Sequence, residues 1–94
     1  MDDVEVRHDA AASRYELVAD GAVIGLIDYR AGTDADVFTH TEVAPAHRGT
    51  GLAVVLVRAA LDDVRARGRT VVPQCWYVAD FLRDNPEYQD LSAA

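Results

Sequence analysis

The stretch Arg48-Gly49-Thr50-Gly51-Leu52-Ala53 separates a run rich in β-branched residues from a long amphipathic segment. The first amides of a helix have no partner within the helix and point outward, and the helix dipole places roughly half a positive charge there. Gly49 and Gly51 leave the backbone bare, so that a ligand can approach it closely. Arg48 adds a forked cationic donor. The stretch therefore predicts a site for a phosphate or a pyrophosphate at the start of a helix.

Two other phosphate-binding loops do not fit this stretch. A nucleotide-hydrolysing P-loop needs a lysine after its last glycine, and the chain contains no lysine. A dinucleotide-binding loop needs glycine or alanine where Val54 stands, and an acidic residue about 20 residues further on, which is missing. The antiparallel strands expected before the loop are also wrong for that fold.

Alternating apolar and polar residues before the loop predict four strands, over residues 4–8, 14–20, 22–29 and 37–43. Asp20-Gly21 indicates a hairpin between the second and third strands. Residues 31–36 are interpreted as a polar turn before the fourth strand, which ends at Ala44-Pro45 because proline lacks a backbone donor.

The segment after the loop predicts the rest of the fold. Val54, Val57, Leu61 and Val64 recur on one face of a helix over residues 51–67, and Gly68 fits its end. Residues 70–73 are a fifth strand, 76–83 a second helix and 86–91 a last turn. A strand-helix-strand crossover implies parallel strands. The predicted fold class is α+β, with a mixed sheet of about five strands. The first four strands are antiparallel, the fourth and fifth are parallel and joined by the central helix, and a C-terminal helix follows. All of these elements belong to one compact domain over residues 1–94.

Composition narrows the classes of function and the surroundings. The net charge of -7 argues against a nucleic-acid partner, because phosphate contacts need Lys and Arg. The acidic N-terminus does not predict a signal peptide, and no stretch reaches the ~18 apolar residues expected of a membrane span. The single cysteine excludes an intramolecular disulfide and fits the cytoplasm. Three histidines and one cysteine lie scattered without zinc spacing, so no metal is predicted.

The loop matches [Q/R]-x-x-G-x-[G/A] and, placed between a strand and a long helix, resembles the GNAT superfamily of acyl-CoA-dependent N-acyltransferases. Val72-Pro73-x-Cys75, Phe81-Leu82 and Asn85-Pro86-Glu87-Tyr88 are similar to the short, stand-alone YjdJ-like group, over nearly the whole chain. The resemblance implies a GNAT-like fold and an acetyl-CoA-dependent N-acetyltransferase with an amine acceptor, either a small molecule or lysine-like. It also implies that coenzyme A is held by Val43, Arg48, Gly49, Thr50, Gly51, Leu52 and Ala53.

Three residues are candidates for catalysis, each with a plainer alternative. Glu42, at the end of the fourth strand, could be a general base or an exposed carboxylate. His40 shares a strand face with Glu42 and could also be a base, or a surface residue. Cys75 could act as a thiolate beside the second helix, or pack as a small hydrophobe.

The resemblance also has gaps. Leu82 stands where the family usually carries the tyrosine that protonates the departing thiolate, and Tyr77 or Tyr88 could replace it or simply pack. The helices that shape the acceptor site in larger members are missing. An alternative function is therefore a catalytically weak acyl-CoA-binding module that acts as a sensor or interaction protein. Homodimerisation, which could complete an open cleft, stays undecided. Trp76 is interpreted as core or pocket wall.

Overall fold

A computed structural model describes residues 4–92, and within them five strands form one sheet in the order β1-β2-β3-β4-β5. The strands are β1 (Val4–Asp9), β2 (Arg14–Ala19), β3 (Ala22–Ala31), β4 (Ala35–Val43) and β5 (Thr70–Pro73). Neighbouring strands from β1 to β4 are antiparallel, whereas β5 runs parallel to β4. The predicted fold class is confirmed.

Two α-helices and two short 3-10 helices complete the described part of the chain. The crossover from β4 to β5 contains a 3-10 helix (Pro45–His47) and α1 (Leu52–Ala66), and β5 is followed by α2 (Trp76–Asp84) and a second 3-10 helix (Pro86–Leu91). No helix within residues 4–92 has the length and apolar character needed to cross a bilayer.

α1 and α2 cover the same face of the sheet. α1 packs against all five strands, and α2 packs against β4 and β5. The core lies in this layer and joins Leu17, Ile27 and Phe38 of the strands to Leu56 and Leu61 of α1. The opposite face, here called the outer face, carries a cross-strand row of Arg7, Glu16, Leu26 and Glu42. Charged residues suit this face because no helix of the described chain packs on it.

The apolar face of α1 is rotated relative to its prediction. Its buried residues are Leu56, Val57, Ala60, Leu61 and Val64, whereas Val54 is 40% exposed. Val54 belongs to the first turn, which projects toward α2 rather than onto the sheet. The predicted repeat was therefore right from Val57 onward and wrong at Val54.

The predicted polar turn over residues 31–36 was too long. Asp36 lies inside β4 and is only 1% exposed. Its carboxylate accepts hydrogen bonds from Arg67 (3.0 Å) and from Arg69 (2.9 and 3.1 Å). A buried carboxylate is tolerated when charged donors satisfy it, and these two arginines supply them from the end of α1 and the start of β5.

β4 and β5 separate after a short paired segment. Their register ends at Phe38 opposite Pro73. One residue further on, Thr39 is the extra residue of a β-bulge, because Phe38 pairs with Tyr29 and His40 pairs with Asp28. A bulge bends its strand and increases the local twist. The second half of β4 therefore diverges from β5 and opens one edge of the sheet.

Candidate functional site

A cleft of about 670 Å³ lies at the point where β4 and β5 diverge. One wall is the end of β4, the second is the turn into α1, and the third is the start of α2. The lining residues are His40, Thr41, Glu42, Val43, Ala44, Pro45, His47, Arg48, Gly49, Gly51, Ala53, Trp76 and Tyr77. The cleft thus brings together most of the residues predicted from the sequence, but Thr50, Leu52 and Cys75 are not among its lining residues.

The turn into α1 has the geometry of an anion site. Gly49 and Gly51 have φ angles of 77° and 81°, a region that side-chain-bearing residues rarely occupy. A Cβ atom added at either glycine would meet no atom within 4 Å. The first amide to reach a carbonyl of α1 is that of Val55, which donates to Gly51 O at 3.4 Å. The amides just before it are the first amides of a helix, which are the groups that commonly bind an anion such as a phosphate.

Arg48 lies at the mouth of the cleft, anchored to the end of β4. Its Nε donates to the carbonyl oxygen of Val43 at 3.2 Å. This bond uses only one of the five N–H donors of a guanidinium. The hydroxyl of Thr50 donates to His47 O and fixes the turn that carries the glycines. Arg48 can therefore meet a phosphate while it remains attached to β4.

The amide of Val43 points into the cleft. The next amide, that of Ala44, donates to Ile24 O of β3 at 2.7 Å, and successive amides of a strand face opposite sides. The Arg48 bond agrees, because the carbonyl and amide of one strand residue point to the same side. Val43 therefore offers an N–H donor where β5 no longer pairs with β4, as needed for an oxyanion.

His40 and Glu42 form a hydrogen-bonded pair on the outer face beside the cleft. His40 Nε2 lies 2.8 Å from Glu42 Oε1, and each side chain is more than half exposed, at 56% and 58%. An ionised carboxylate only accepts, so Nε2 carries the proton and Nδ1 of the neutral ring has a lone pair available. The strand-face relation predicted from their spacing holds, and the pair can accept one proton at Nδ1.

Cys75 lies below the cleft rather than in it. It is 7% exposed, and its Sγ donates to Thr41 Oγ1 at 3.4 Å. Its amide donates to Phe38 O at 2.9 Å and so ties the start of α2 to β4. These contacts suit a packing residue that holds the divergent strands together. A catalytic role for Cys75 stays a prediction.

The aromatic residues of α2 and its flank divide between cleft and core. Trp76 is 73% exposed and Tyr77 partly exposed, and both line the cleft, so that Trp76 is a pocket wall. Tyr88 is 4% exposed and donates to Asp62 Oδ1 at 2.7 Å, away from the cleft. Leu82 is buried in the core. Tyr77 is therefore the tyrosine within reach of a ligand.

Sequence reasoning missed Thr41, Ala44, Pro45 and His47 as lining residues. Strand periodicity alone could have suggested Thr41, because it lies two residues from Val43 on the face toward α1 and α2.

No cluster of three or more His, Cys, Asp or Glu side chains that could hold a metal ion occurs in the part of the chain that the structure describes.

Residues 14–91 match the family described as GCN5-related N-acetyl-transferase, and the chain belongs to that family. It is 33% identical to Protein NATD1 of Bos taurus over 86 residues, which span 88% of this chain and 75% of that protein. The chain is 31% identical to the human Protein NATD1 over 86 residues, which again span 88% of this chain and 75% of that protein. The narrower likeness to the YjdJ-like group stays a prediction.

Solved structures of low sequence identity share the fold. A GCN5-like protein from Staphylococcus aureus matches with a TM-score of 0.70 and 17% identity, covering 100% of this chain and 92% of that one. A GNAT family acetyltransferase from Brucella melitensis, solved in complex with acetyl-CoA, matches with a TM-score of 0.59 and 24% identity, covering 77% and 54% of the two chains.

Proposed function

We propose that the chain is an acetyl-CoA-dependent N-acetyltransferase that moves an acetyl group from the coenzyme A thioester to an amine. The observation that carries this proposal is one continuous cleft. It runs from the glycine turn, past the inward-pointing amide of Val43, to the His40–Glu42 pair. An anion site, an oxyanion donor and a proton acceptor therefore lie in the same cleft.

The residues of the glycine turn would hold the pyrophosphate of the co-substrate. The amides at the start of α1 give hydrogen bonds to phosphate oxygens, Arg48 gives a positive charge, and the glycines leave room. The co-substrate supplies an activated acetyl thioester. The divergence of β4 and β5 gives its pantetheine arm a way into the sheet, toward the Val43 amide.

His40 would accept the proton of the amine acceptor, and Glu42 would orient the His40 ring. The amine nitrogen attacks the acetyl carbon, the C–S bond breaks, and the proton leaves the nitrogen for His40 Nδ1. Glu42 keeps the ring in the required tautomer and stabilises the imidazolium once it forms. The hydroxyl of Tyr77 is the candidate donor for the departing thiolate.

The test combines binding with turnover. Titration with acetyl-CoA should show that Arg48→Glu weakens binding by more than about tenfold, whereas Arg30→Glu, on an exposed arginine of β3 that lies outside the cleft, leaves it unchanged. With an amine panel that includes lysine peptides, His40→Ala should lower kcat by about 10²-fold or more and keep the acetyl-CoA affinity. If the wild type does not bind acetyl-CoA, the proposal is wrong.

A second candidate is an acyl-CoA-binding module with little catalysis. It is favoured by the exposure of the His40–Glu42 pair, because a base gains from a site that excludes water. Acetyl-CoA binding that depends on Arg48, without coenzyme A release on any amine of the panel, would establish this function in place of the transferase.

A further inference from the structure

The two edges of the sheet differ in how they are protected. β5, at one edge, has only four residues, ends at Pro73 and also forms an isolated bridge from Val71 to Ser92. β1, at the other edge, pairs with β2 over its whole length, and no strand within residues 4–92 pairs with its other side. Natural sheets commonly protect an edge with a very short strand, a proline or a bulge. β1 has neither a proline nor a bulge.

The hairpin that joins β1 to β2 shows which backbone groups face the free side of β1. The Tyr29 amide donates to the Ser13 carbonyl at 3.0 Å, so this carbonyl points toward β3. In a trans peptide group the N–H points the opposite way, and the described residues contain no cis bond. The Arg14 amide therefore points toward β1, which makes Arg14 and Asp9 a hydrogen-bonded pair.

Alternate residues of β1 present their backbone to the free side, because hydrogen-bonded and non-hydrogen-bonded pairs alternate along antiparallel strands. Since Asp9 faces β2, so do Arg7 and Glu5. The residues whose N–H and C=O groups face away from β2 are Val4, Val6 and His8. The side chains of Val4 and Val6 are partly buried against the core, whereas Glu5 and Arg7 are exposed. The free edge is therefore apolar toward α1 and charged on the outer face.

A second copy of β1 matches this edge in charge. Free-side backbone groups must face each other across an antiparallel pair, and the two such registers of longest overlap are centred on Val6 and on Arg7. In the register centred on Val6, Glu5 lies opposite Arg7 of the second copy at both ends of the contact. Centring on Arg7 instead places two arginines opposite each other and Glu5 opposite Asp9. Like charges directly opposite are destabilising, so charge selects the register centred on Val6.

We propose that β1 pairs antiparallel with β1 of a second copy of this chain, about a two-fold axis at Val6, and that the chain forms a homodimer with one continuous sheet. The Glu5–Arg7 pairs occupy non-hydrogen-bonded positions, where opposite Cα atoms are only about 4.5 Å apart and side chains approach most closely. Arg7 would lie between Glu16, its partner in β2, and Glu5 of the second copy. A two-fold contact uses the same patch on both copies and closes at the dimer.

The proposed dimer leaves both clefts open. Directly opposite residues of paired strands lie on the same face of a sheet, so the helices of both copies lie on one side and both outer faces on the other. The cleft lies where β4 and β5 diverge, at the edge of the sheet opposite to β1. Seven strand spacings of about 4.8 Å separate the two β4 strands, which is about 34 Å. The association therefore does not depend on what the cleft binds, and it is independent of the proposed function.

The expected dimer is weak. β1 is about 20 Å long, so the edge contact is smaller than a standard interface. Each copy also has a net charge of -7, which opposes association. We expect a dissociation constant of the order of tens of micromolar, measured by sedimentation equilibrium at about 0.15 M salt.

Two charge reversals test the register. Glu5→Arg and Arg7→Glu each place like charges opposite each other at both pairs and should weaken the dimer by more than about tenfold. An equimolar mixture of the two variants places unlike charges at both pairs and should restore dimerisation to within about threefold of wild type, which also shows that both variants are folded. Arg30→Glu, on an exposed residue of β3, makes the same change of net charge as Arg7→Glu and should leave the dimer within about twofold of wild type.

Amide hydrogen exchange, measured well below and well above the dissociation constant, locates the contact. The amides of Val4, Val6 and His8 should exchange about threefold or more slowly in the concentrated sample, because they gain partners in the second copy. The amides of Glu5 and Arg7 already bond to β2 and should exchange at the same rate in both samples. Protection that alternates along β1 is specific to pairing of this strand.

Each other outcome overturns the inference. A chain that stays monomeric at about 1 mM has no such contact. A dimer that neither charge reversal weakens, or one in which the alternate β1 amides gain no protection, is held together by another surface. Assembly beyond the dimer also contradicts the inference, since a two-fold contact closes. Titration with acetyl-CoA tests the proposed function separately, whatever the oligomeric state.

Discussion

Replacing Asp36 by asparagine tests whether β4 and β5 are held together by a buried charge. The substitution keeps the shape of the side chain and removes its charge, while Arg67 and Arg69 remain in place. Burial alone would lower the pKa of Arg67, but hydrogen bonds to Asp36, Asp63 and Tyr15 raise it, so this guanidinium stays charged. The variant would therefore leave two cations without the carboxylate that they share.

The expected loss can be worked from burial and contacts. Removing one partner of a buried ion pair costs about 3–5 kcal/mol. Asp36 is 1% exposed, but the side chains of Arg67 and Arg69 are 32% and 22% exposed, so water can partly solvate them again. This places the loss near the lower limit, at about 3 kcal/mol. For a chain of this size, that would lower the urea midpoint by about 2–3 M.

The assay is urea unfolding followed by far-ultraviolet circular dichroism, with Asp34→Asn as the matched control. Asp34 is an exposed residue just before β4, and the structure uses its backbone carbonyl, which accepts from the Thr70 amide. The control should change the free energy of unfolding by no more than about 0.5 kcal/mol. A loss below about 1 kcal/mol in Asp36→Asn would refute the reasoning, because the pair would then add no more than a surface salt bridge.

Three further predictions follow from other contacts. Gly51→Val should weaken acetyl-CoA binding in calorimetry by more than about tenfold, because the new side chain would enter the cleft. It should also destabilise the fold by about 1–2 kcal/mol, because φ is 81° at this position. Unchanged binding would contradict the proposed anion site. Cys75→Ala should keep coenzyme A release within about threefold of wild type if the thiol only packs, whereas a loss of about 10²-fold would support a catalytic thiolate. Burial, with hydrogen bonds to Asp63 and Asp62 respectively, raises the pKa of Tyr15 and Tyr88, so the stability that they contribute is complete below pH about 10 and is lost as pH rises through their folded-state values; a flat free energy of unfolding from pH 9 to 11 would contradict this.

The sequence was informative where local chemistry determines the structure. The glycine turn, the long helix and the parallel crossover each depend on residues close together in the chain, and the structure has them as predicted. The failures involve distant partners. Asp36 is a residue type typical of turns. Its burial is tolerated because Arg67 and Arg69, about 30 residues away in the chain, form ion pairs with its carboxylate. Arg58 has an oppositely charged residue four positions away in α1, Asp62, but it pairs with Glu87 from the second 3-10 helix.

In the candidate site too, the features that depend on local residues were predicted and those that depend on distant parts of the chain were not. The residues around Arg48 could be found because a motif carries the chemistry of the turn. The position of Cys75 could not, because its distance from the cleft depends on how far β4 and β5 diverge before α2 begins. The bulge at Thr39 sets that divergence, and no residue type in β4 marks a bulge.

β4 explains how a chain of 94 residues can carry such a site. Its first half lies between β3 and β5 and is fixed at Asp36, whereas its second half pairs with β3 alone and carries the Val43 amide and the His40–Glu42 pair. A chain of this length has a core for little more than one packed layer, and here α1 and α2 both lie on the inner face. The outer face beside Glu42 therefore carries charges, and no helix within residues 4–92 covers it. In the proposed reaction the amine would approach across this face, so exposed groups, rather than the shape of a closed pocket, would select the acceptor.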